Sequence, residues 1–147
     1  MEDANQMLAR LAVRAVLERY FSCVDRQDWE GLGACFAADA TAVYNSAGPQ
    51  HLTGRDAIVA KVQVVKRFNS THHVFANTDI VLARDDAKAQ TQAIAYLLIG
   101  PAESGRVLVR GLRYDDELSR TDGLWRIRRR THMPLWQYEA KALPPGY

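Results

Sequence analysis

Apolar residues at the start of the chain repeat at the spacing of an α-helix. From Asn5 to Asp25 they recur every three or four positions, which places them on one buried face: Val13, Val16, Leu17, Tyr20, Phe21 and Val24. Asp28 follows in the position of an N-cap, so a second, short helix is expected to run to Phe36. The pattern thus predicts two consecutive helices.

The next segment alternates between strand and helix. Ala40–Asn45 has the character of a strand, and Gly48-Pro49 forms a turn after it. Thr53–Asp56 then leads into a third helix, which is expected to end near Arg67. The first half of the chain is therefore predicted to contain three helices and one strand.

The second half of the chain is rich in β-forming residues and is divided by turn sequences. Four long strands are predicted: Thr71–Leu82, Ala87–Ile99, Arg106–Arg120 and Leu124–Pro134. Helices followed by an antiparallel meander indicate the α+β class. A length of 147 residues is typical of one domain. We therefore expect residues 1–147 to form a single domain with a core at about 5–138 and a tail at 139–147, which contains Pro144-Pro145-Gly146.

The last hairpin has a predicted register, because Asp122-Gly123 is a two-residue turn signal. It pairs Arg120 with Trp125, Leu118 with Ile127, Glu117 with Arg128, Asp116 with Arg129 and Asp115 with Arg130. Acid–arginine pairs of this kind stabilise a solvated sheet face by ~0.2–1 kcal/mol each. The basic run at 126–130 is therefore interpreted mainly as surface ion pairs, and at most one of its arginines is expected to reach a pocket.

Composition and charge narrow the classes of function. The chain has 19 basic and 17 acidic residues, a net charge of +2, and a nucleic-acid partner is not expected because such affinity depends on phosphate neutralisation. No apolar stretch approaches the ~18 residues that cross a membrane, and the first ten residues have acids where a signal peptide has basic residues. Cys23 and Cys35 form no CxxC pair, so a reduced, cytoplasmic protein without a membrane partner is expected.

Candidate catalytic and metal-binding side chains are few. His72 and His73 are adjacent on a predicted strand, so they point to opposite faces and cannot share a metal ion without a kink. HExxH, P-loop and GxGxxG motifs do not occur, and neither a metal nor a cofactor is expected. The inward histidine is either a hydrogen-bonded core residue or a catalyst. Asp25, at the edge of the apolar stripe, is either part of a frayed helix end or a buried carboxylate with a partner.

Five short stretches, in this order along the chain, carry a family resemblance. They are YFSCVD at 20–25, FAADA at 36–40, LTGRDAI at 52–58, THHVFAN at 71–77 and DGLWRI at 122–127. With the order of elements, they make roughly residues 5–138 resemble the nuclear transport factor 2-like superfamily, in its polyketide-cyclase-like (SnoaL-like) branch. That branch includes bile acid dehydratase, scytalone dehydratase and hexachlorocyclohexane dehydrochlorinase. The resemblance implies a cone-shaped barrel with the N-terminal helices packed on a strongly curved, mainly antiparallel sheet.

The resemblance also implies roles for three residues. In the eliminating members, an aspartate at the end of the first helix orients a histidine on a strand, and the matching residues here are Asp25 and His73. Tyr20 matches the tyrosine of the bile acid dehydratase type and is expected to donate a hydrogen bond to the substrate. These three residues are the candidate catalytic group.

Two further residues are expected to bind substrate. By its spacing from Trp125, Arg130 matches an arginine late in the last strand of the family. The hairpin register prefers Arg129 on the core face, and a bulge after Arg128 would bring Arg130 there instead. Tyr44, on the first strand, is expected to line the same cavity.

These assignments predict a function. The chain is expected to be a cofactor-independent lyase of the dehydratase type, acting on a small apolar or ring-containing carbonyl or hydroxy compound in an internal apolar cavity. His73 would act as the general base, oriented by Asp25. Two alternatives stay open, namely an isomerase or polyketide-type cyclase with the same pair, and a non-catalytic ligand-binding or association subunit. A homo-oligomer, dimer or trimer, is expected to form through the outer face of the sheet.

Overall fold

The computed structural model describes residues 1–146, which form three α-helices and six β-strands. The helices are α1 (Ala4–Arg26), α2 (Trp29–Ala34) and α3 (Arg55–Val62), and a 3₁₀ helix follows α3 at Gln63–Arg67. The strands are β1 (Phe36–Tyr44), β2 (Gln50–Thr53), β3 (Ser70–Ala83), β4 (Asp86–Ile99), β5 (Arg106–Thr121) and β6 (Leu124–Lys141). The α+β class predicted from the sequence is confirmed.

All six strands belong to one sheet in the order β2-β1-β6-β5-β4-β3. Its neighbouring strands are antiparallel except β1 and β6, which run parallel. The helices pack on this sheet as the resemblance implied, but the sheet is open. Its edge strands β2 and β3 do not pair with each other, so the cone is not a closed barrel.

Helix α1 forms as its sequence pattern predicts. Asp3 caps its first turn in a reciprocal capping box with Gln6, and Gln27 ends it in the left-handed conformation. The predicted apolar stripe is buried, together with Cys23. This stripe holds α1 against the sheet, and the last turn of the helix carries Asp25 to the beginning of β3.

Several elements differ from the sequence prediction. Helix α2 ends at Ala34 instead of Phe36, and β1 begins at Phe36 instead of Ala40. The third helix changes to 3₁₀ geometry after Val62 instead of continuing to Arg67. The short strand β2 was not predicted. The last strand continues to Lys141 instead of ending at Pro134, so the tail begins later than residue 139. Pro134 is tolerated inside the strand because it lies at a bulge, where the ladder is already interrupted.

The hairpin register is correct near the turn and wrong beyond it. Arg120 pairs with Trp125 and Leu118 with Ile127, as predicted, but Glu117 then pairs with Arg129, Asp116 with Arg130 and Asp115 with Thr131. A bulge at Arg128 supplies the extra residue. Because side chains alternate along a strand, one extra residue exchanges the faces: Trp125 and Ile127 face inward before the bulge, and Arg130 and His132 face inward after it. Arg130 is therefore buried, while the side chain of Arg129 is 66% exposed.

Candidate active site

Asp25 and His73 form a closely bonded pair between α1 and β3. Oδ1 of Asp25 lies 2.6 Å from Nδ1 of His73 and accepts a hydrogen bond of 2.9 Å from the Thr71 hydroxyl. Its second oxygen, Oδ2, accepts the backbone N–H of His73 at 2.8 Å. Thr71 and His73 lie two positions apart on β3, so both side chains face the helix, whereas His72 is exposed on the other face.

Hydrogen bonds from His73 and Thr71 keep the carboxyl group of Asp25 ionised. Burial alone would raise the pKa of this carboxyl, but the bonds from His73 and Thr71 outweigh it and lower the pKa below the ordinary value. Asp25 is therefore ionised near neutral pH and acts only as an acceptor. Nδ1 of His73 then carries the proton of that bond, which leaves Nε2 of the neutral ring as an unprotonated base.

His73 forms part of the wall of a cavity of about 300 Å³. Its apolar wall comes from side chains that include Val24, Ala95, Leu97 and Leu112. The exposure of the lining residues gives the cavity two ends. At one end the lining residues Tyr20, Tyr44, Tyr114 and His132 are buried, and at the other end Lys61, Arg67 and Arg110 are partly or fully exposed. The first group is called the inner end and the second the outer end.

Three tyrosines form the polar surface of the inner end. The hydroxyls of Tyr20 and Tyr44 lie 2.9 Å apart, and the ring of Tyr114 packs edge-on against that of Tyr20 at 5.9 Å between centroids. Burial raises the pKa of all three hydroxyls. They therefore keep their protons and can donate hydrogen bonds to a ligand oxygen.

His132 completes the inner end and carries no charge. Its ring stacks on Tyr44 at 4.9 Å, and its Nδ1 has no hydrogen-bond partner among the described residues. Burial and then the neighbouring cations, Arg130 first among them, lower its pKa to about 4. It contrasts with His73, whose ring is bonded to a carboxylate.

Arg130 lies behind the tyrosines and not in the cavity wall. Its guanidinium makes two parallel bonds to Asp116, Nε to Oδ1 at 2.7 Å and Nη2 to Oδ2 at 2.8 Å. The same group lies 4.0 Å from the ring centroid of Tyr20 and 4.6 Å from that of Tyr114. Burial alone would lower the pKa of Arg130, but Asp116 outweighs it and raises the pKa well above the ordinary value. The guanidinium thus supports the tyrosines from behind and lies outside the cavity lining, whereas the sequence analysis expected it within that lining.

The structure therefore brings four of the five predicted residues to one cavity. Tyr20, Tyr44 and His73 line it directly, and Asp25 bonds to His73. The sequence analysis missed the lining residues Tyr114 and His132 and the buried partner Asp116. These residues could have been found from the alternation of inward and outward side chains along β5 and β6, but only with a bulge placed at Arg128. Residues 1–146 contain no cluster of three His, Cys, Asp or Glu side chains arranged to hold a metal ion.

Comparison with protein families gives one match, to the SnoaL-like domain, over residues 5–131. This chain belongs to the SnoaL-like family. The match spans helix α1 and strand β3, which carry Asp25 and His73, and most of the sheet, and it confirms the resemblance inferred from the sequence. None of the helices in residues 1–146 has the length and apolar character of a membrane span.

The SnoaL-like chain is similar to proteins of known and unknown role. The uncharacterized protein Rv2910c of Mycobacterium tuberculosis is 28% identical over 142 residues, which are 93% of this chain and 92% of that protein. A putative scytalone dehydratase from Novosphingobium aromaticivorans has a TM-score of 0.77 at 22% identity, covering 96% and 95% of the two chains. The hexachlorocyclohexane dehydrochlorinase LinA-type3 from Novosphingobium barchaimii has a TM-score of 0.82 at 17% identity, covering 98% and 100%. At these identities the solved structures establish the shared fold.

Proposed function

We propose that this SnoaL-like protein is a cofactor-independent lyase of the dehydratase type, with His73 as the general base. The observation that carries the proposal is the 2.6 Å bond between Asp25 and a histidine ring that lines a largely apolar cavity. The names of two structural relatives, a putative dehydratase and a dehydrochlorinase, are consistent with elimination.

The reaction begins with proton transfer. Nε2 of His73 takes a proton from the carbon next to a carbonyl group of the substrate. Asp25 stabilises the imidazolium that forms and holds the ring in the tautomer that leaves Nε2 free. General base catalysis of this kind contributes ~10²–10⁴ in rate.

The charge that develops on the carbonyl oxygen needs a donor. The hydroxyls of Tyr20 and Tyr44 are buried, protonated and directed to one another, so one of them can donate to that oxygen. A donor of this type contributes roughly 2.7–4 kcal/mol to transition-state stabilisation. The imidazolium then returns its proton to the β-hydroxyl group, the C–O bond breaks, and water and the unsaturated carbonyl compound are released.

The test uses a panel of ring-containing β-hydroxy ketones and β-hydroxy acids in deuterated buffer. NMR follows two events, the exchange of the C–H next to the carbonyl and the loss of water. We expect at least one compound to lose water with the wild-type protein, and the rate to fall ~10²–10⁴-fold in His73→Ala. The matched control is His72→Ala, the neighbouring histidine on the exposed face of β3, which should keep the wild-type rate.

The outcomes separate the alternatives left open by the sequence. Exchange followed by a product that has lost no water, and whose mass differs from that of the substrate only by incorporated deuterium, would indicate an isomerase or a cyclase that uses the same base. Saturable binding without exchange or water loss in the wild-type protein would indicate a ligand-binding subunit and contradict the proposed lyase.

A further inference from the structure

We propose that the outer end of the cavity binds an anionic group of the substrate, a carboxylate or a phosphate ester, through Lys61, Arg67 and Arg110. This inference deepens the proposed function and rests on it only in calling the ligand a substrate. It defines the substrate class as an apolar ring compound with one anionic end.

Three separate elements bring these cations together. Lys61 lies on α3, Arg67 on the 3₁₀ helix and Arg110 on β5, and all three line the cavity that contains His73. Each is at least partly exposed, in contrast to the buried tyrosines of the inner end. The cations therefore surround the part of the cavity that a ligand reaches first.

No carboxylate of the described residues neutralises this group. The lining contains no Asp or Glu, and none of the three cations forms an ion pair within residues 1–146. Arg110 donates only to the neutral amide of Gln137, at 3.0 Å, and Arg67 lies over the ring of Phe68 at 4.9 Å. The guanidinium groups thus retain free N–H donors for a ligand.

The cations are close enough to influence one another and the inner end. Burial and then repulsion from Arg67 lower the pKa of Arg110. Arg110 and Lys61 both contribute to the lowered pKa of His132. A bound anion would relieve this repulsion, and the field of the three cations would concentrate anionic ligands at the cavity.

The two ends of the cavity then orient the substrate. An anionic group held at the outer end leaves the apolar ring against the side chains between the ends, and directs the reacting carbon towards His73 and the tyrosines. Arg130 is not needed for this binding, since both of its bonds to Asp116 are made within the fold. The three cations come from elements other than β6, which carries Arg130, the arginine that the sequence analysis expected to bind substrate.

The test compares the binding of matched probes by calorimetry. The probes are 2-naphthoate, 2-naphthyl phosphate and the neutral 2-naphthamide, which share one ring system. We expect one or both anions to bind at least about 10-fold more tightly than the amide at low salt, and added NaCl to weaken the anions and not the amide. A preference between the two anions identifies whether the native group is a carboxylate or a phosphate.

Variants locate the preference at the three cations. The double variant Arg67→Gln/Arg110→Gln should bind the preferred anion about 10-fold more weakly than the wild-type protein does, and its affinity for the amide should change by no more than about twofold. Arg67→Glu changes one exposed residue and should weaken the anion as well. Lys66→Gln is the matched control, since Lys66 is exposed next to Arg67 and does not line the cavity.

Several results would overturn the inference. The first is that the wild-type protein binds the anions and the amide equally tightly. The second is that the double variant loses affinity for the anion and for the amide to the same extent. The third is that neither anion shows saturable binding. Because binding is measured without turnover, these results are distinct from failure of the lyase proposal. If only the lyase proposal fails, the protein still binds the anions more tightly than the amide, but no compound of the panel loses water. His73→Ala should keep the anion preference in either case.

Discussion

Two carboxylates of the structure, Asp25 and Asp116, have a nitrogen partner at nearly the same distance, yet they have different surroundings. Asp25 lies 2.6 Å from His73, and Asp116 lies 2.7 Å from Arg130. The side chain of Asp25 is 23% exposed, whereas that of Asp116 is fully buried. The first pair is at the cavity and the second is sealed behind the tyrosines.

The partner determines what each pair can do. A guanidinium cannot release a proton in a protein, so Arg130 stays charged, and it is bonded to Asp116 at two points. A histidine ring can donate from one nitrogen and accept a proton at the other, and the bond to Asp25 uses only Nδ1 of His73, which lines the cavity. The comparison indicates that the Arg130 pair maintains the shape of the inner end, and that the His73 pair is suited to proton transfer.

The largest expected effect is on folding, in Asp116→Asn. The change leaves the charge of Arg130 buried without its carboxylate, which costs about 3–5 kcal/mol of unfolding free energy. Urea denaturation measures the loss. The matched control is Asp115→Asn, the neighbouring residue on the outer face of β5, which should change stability by no more than about 1 kcal/mol. Equal losses in the two variants would contradict a structural role for the sealed pair.

The same substitution in the other pair should act on turnover. Asp25→Asn keeps the shape of the side chain but removes the charge that stabilises the imidazolium, so we expect the rate to fall ~10²–10⁴-fold. Its stability should fall less than that of Asp116→Asn, because Asp25 is partly exposed. The rate of water loss from a substrate found in the panel provides the measurement. If Asp25→Asn unfolds the protein as readily as Asp116→Asn and keeps its turnover, the distinction between the pairs is wrong.

The fold was predictable where the periodicity of the sequence is strong. Helix α1 and the four long strands β3–β6 have long repeating patterns, and each begins within one residue of its predicted start. The strand β2 has only four residues, most of them exposed, and such a segment carries no periodic signal. The open edges of the sheet follow from strand pairing across the molecule, which local patterns do not specify.

The candidate site was predictable only in part, for one physical reason. The positions of Asp25 and His73 followed from motifs at the end of a helix and the beginning of a strand. The inner end depends on β6, where the bulge at Arg128 exchanges the inward and outward faces. The regular register preferred in the sequence analysis therefore concealed His132 and assigned Asp116 to a surface pair, whereas the bulge it offered as the alternative is the one the structure has.

His132 extends the comparison to a histidine without a carboxylate. Burial and the nearby Arg130, Arg110 and Lys61 lower its pKa from 6.5 to about 4 in the folded protein, where its ring also faces Tyr44 and Tyr114. Between these pH values the unfolded chain binds the proton that the folded protein excludes. Stability is therefore complete above pH 6.5 and decreases as the pH falls towards 4.

The expected loss across that range is about 3 kcal/mol, from the size of the shift. Urea denaturation at several pH values measures it. His132→Phe retains an aromatic ring against Tyr44 and binds no proton, so its free energy of unfolding should not show this loss as the pH falls. An unchanged dependence in His132→Phe would mean that the folded protein accommodates the charged ring.

The smallest effect is expected from Thr71→Val, which removes one donor to Asp25 and keeps the carboxylate, the histidine and the shape of the side chain. The 2.9 Å bond from Thr71 is one of the contacts that lower the pKa of Asp25, so its loss should raise that pKa towards the ordinary value of 3.8. Acid titration of the Asp25 carboxyl followed by NMR measures this rise, and the rate at neutral pH should fall by about 10-fold or less. Thr78→Val is the control, because Thr78 lies on the same strand and bonds to Thr91 instead. An effect in Thr71→Val that is absent in Thr78→Val would show that the Thr71 hydroxyl helps to set the pKa of Asp25 and the rate. The same Asp25 pKa and the same rate in the two threonine variants would show that it does not.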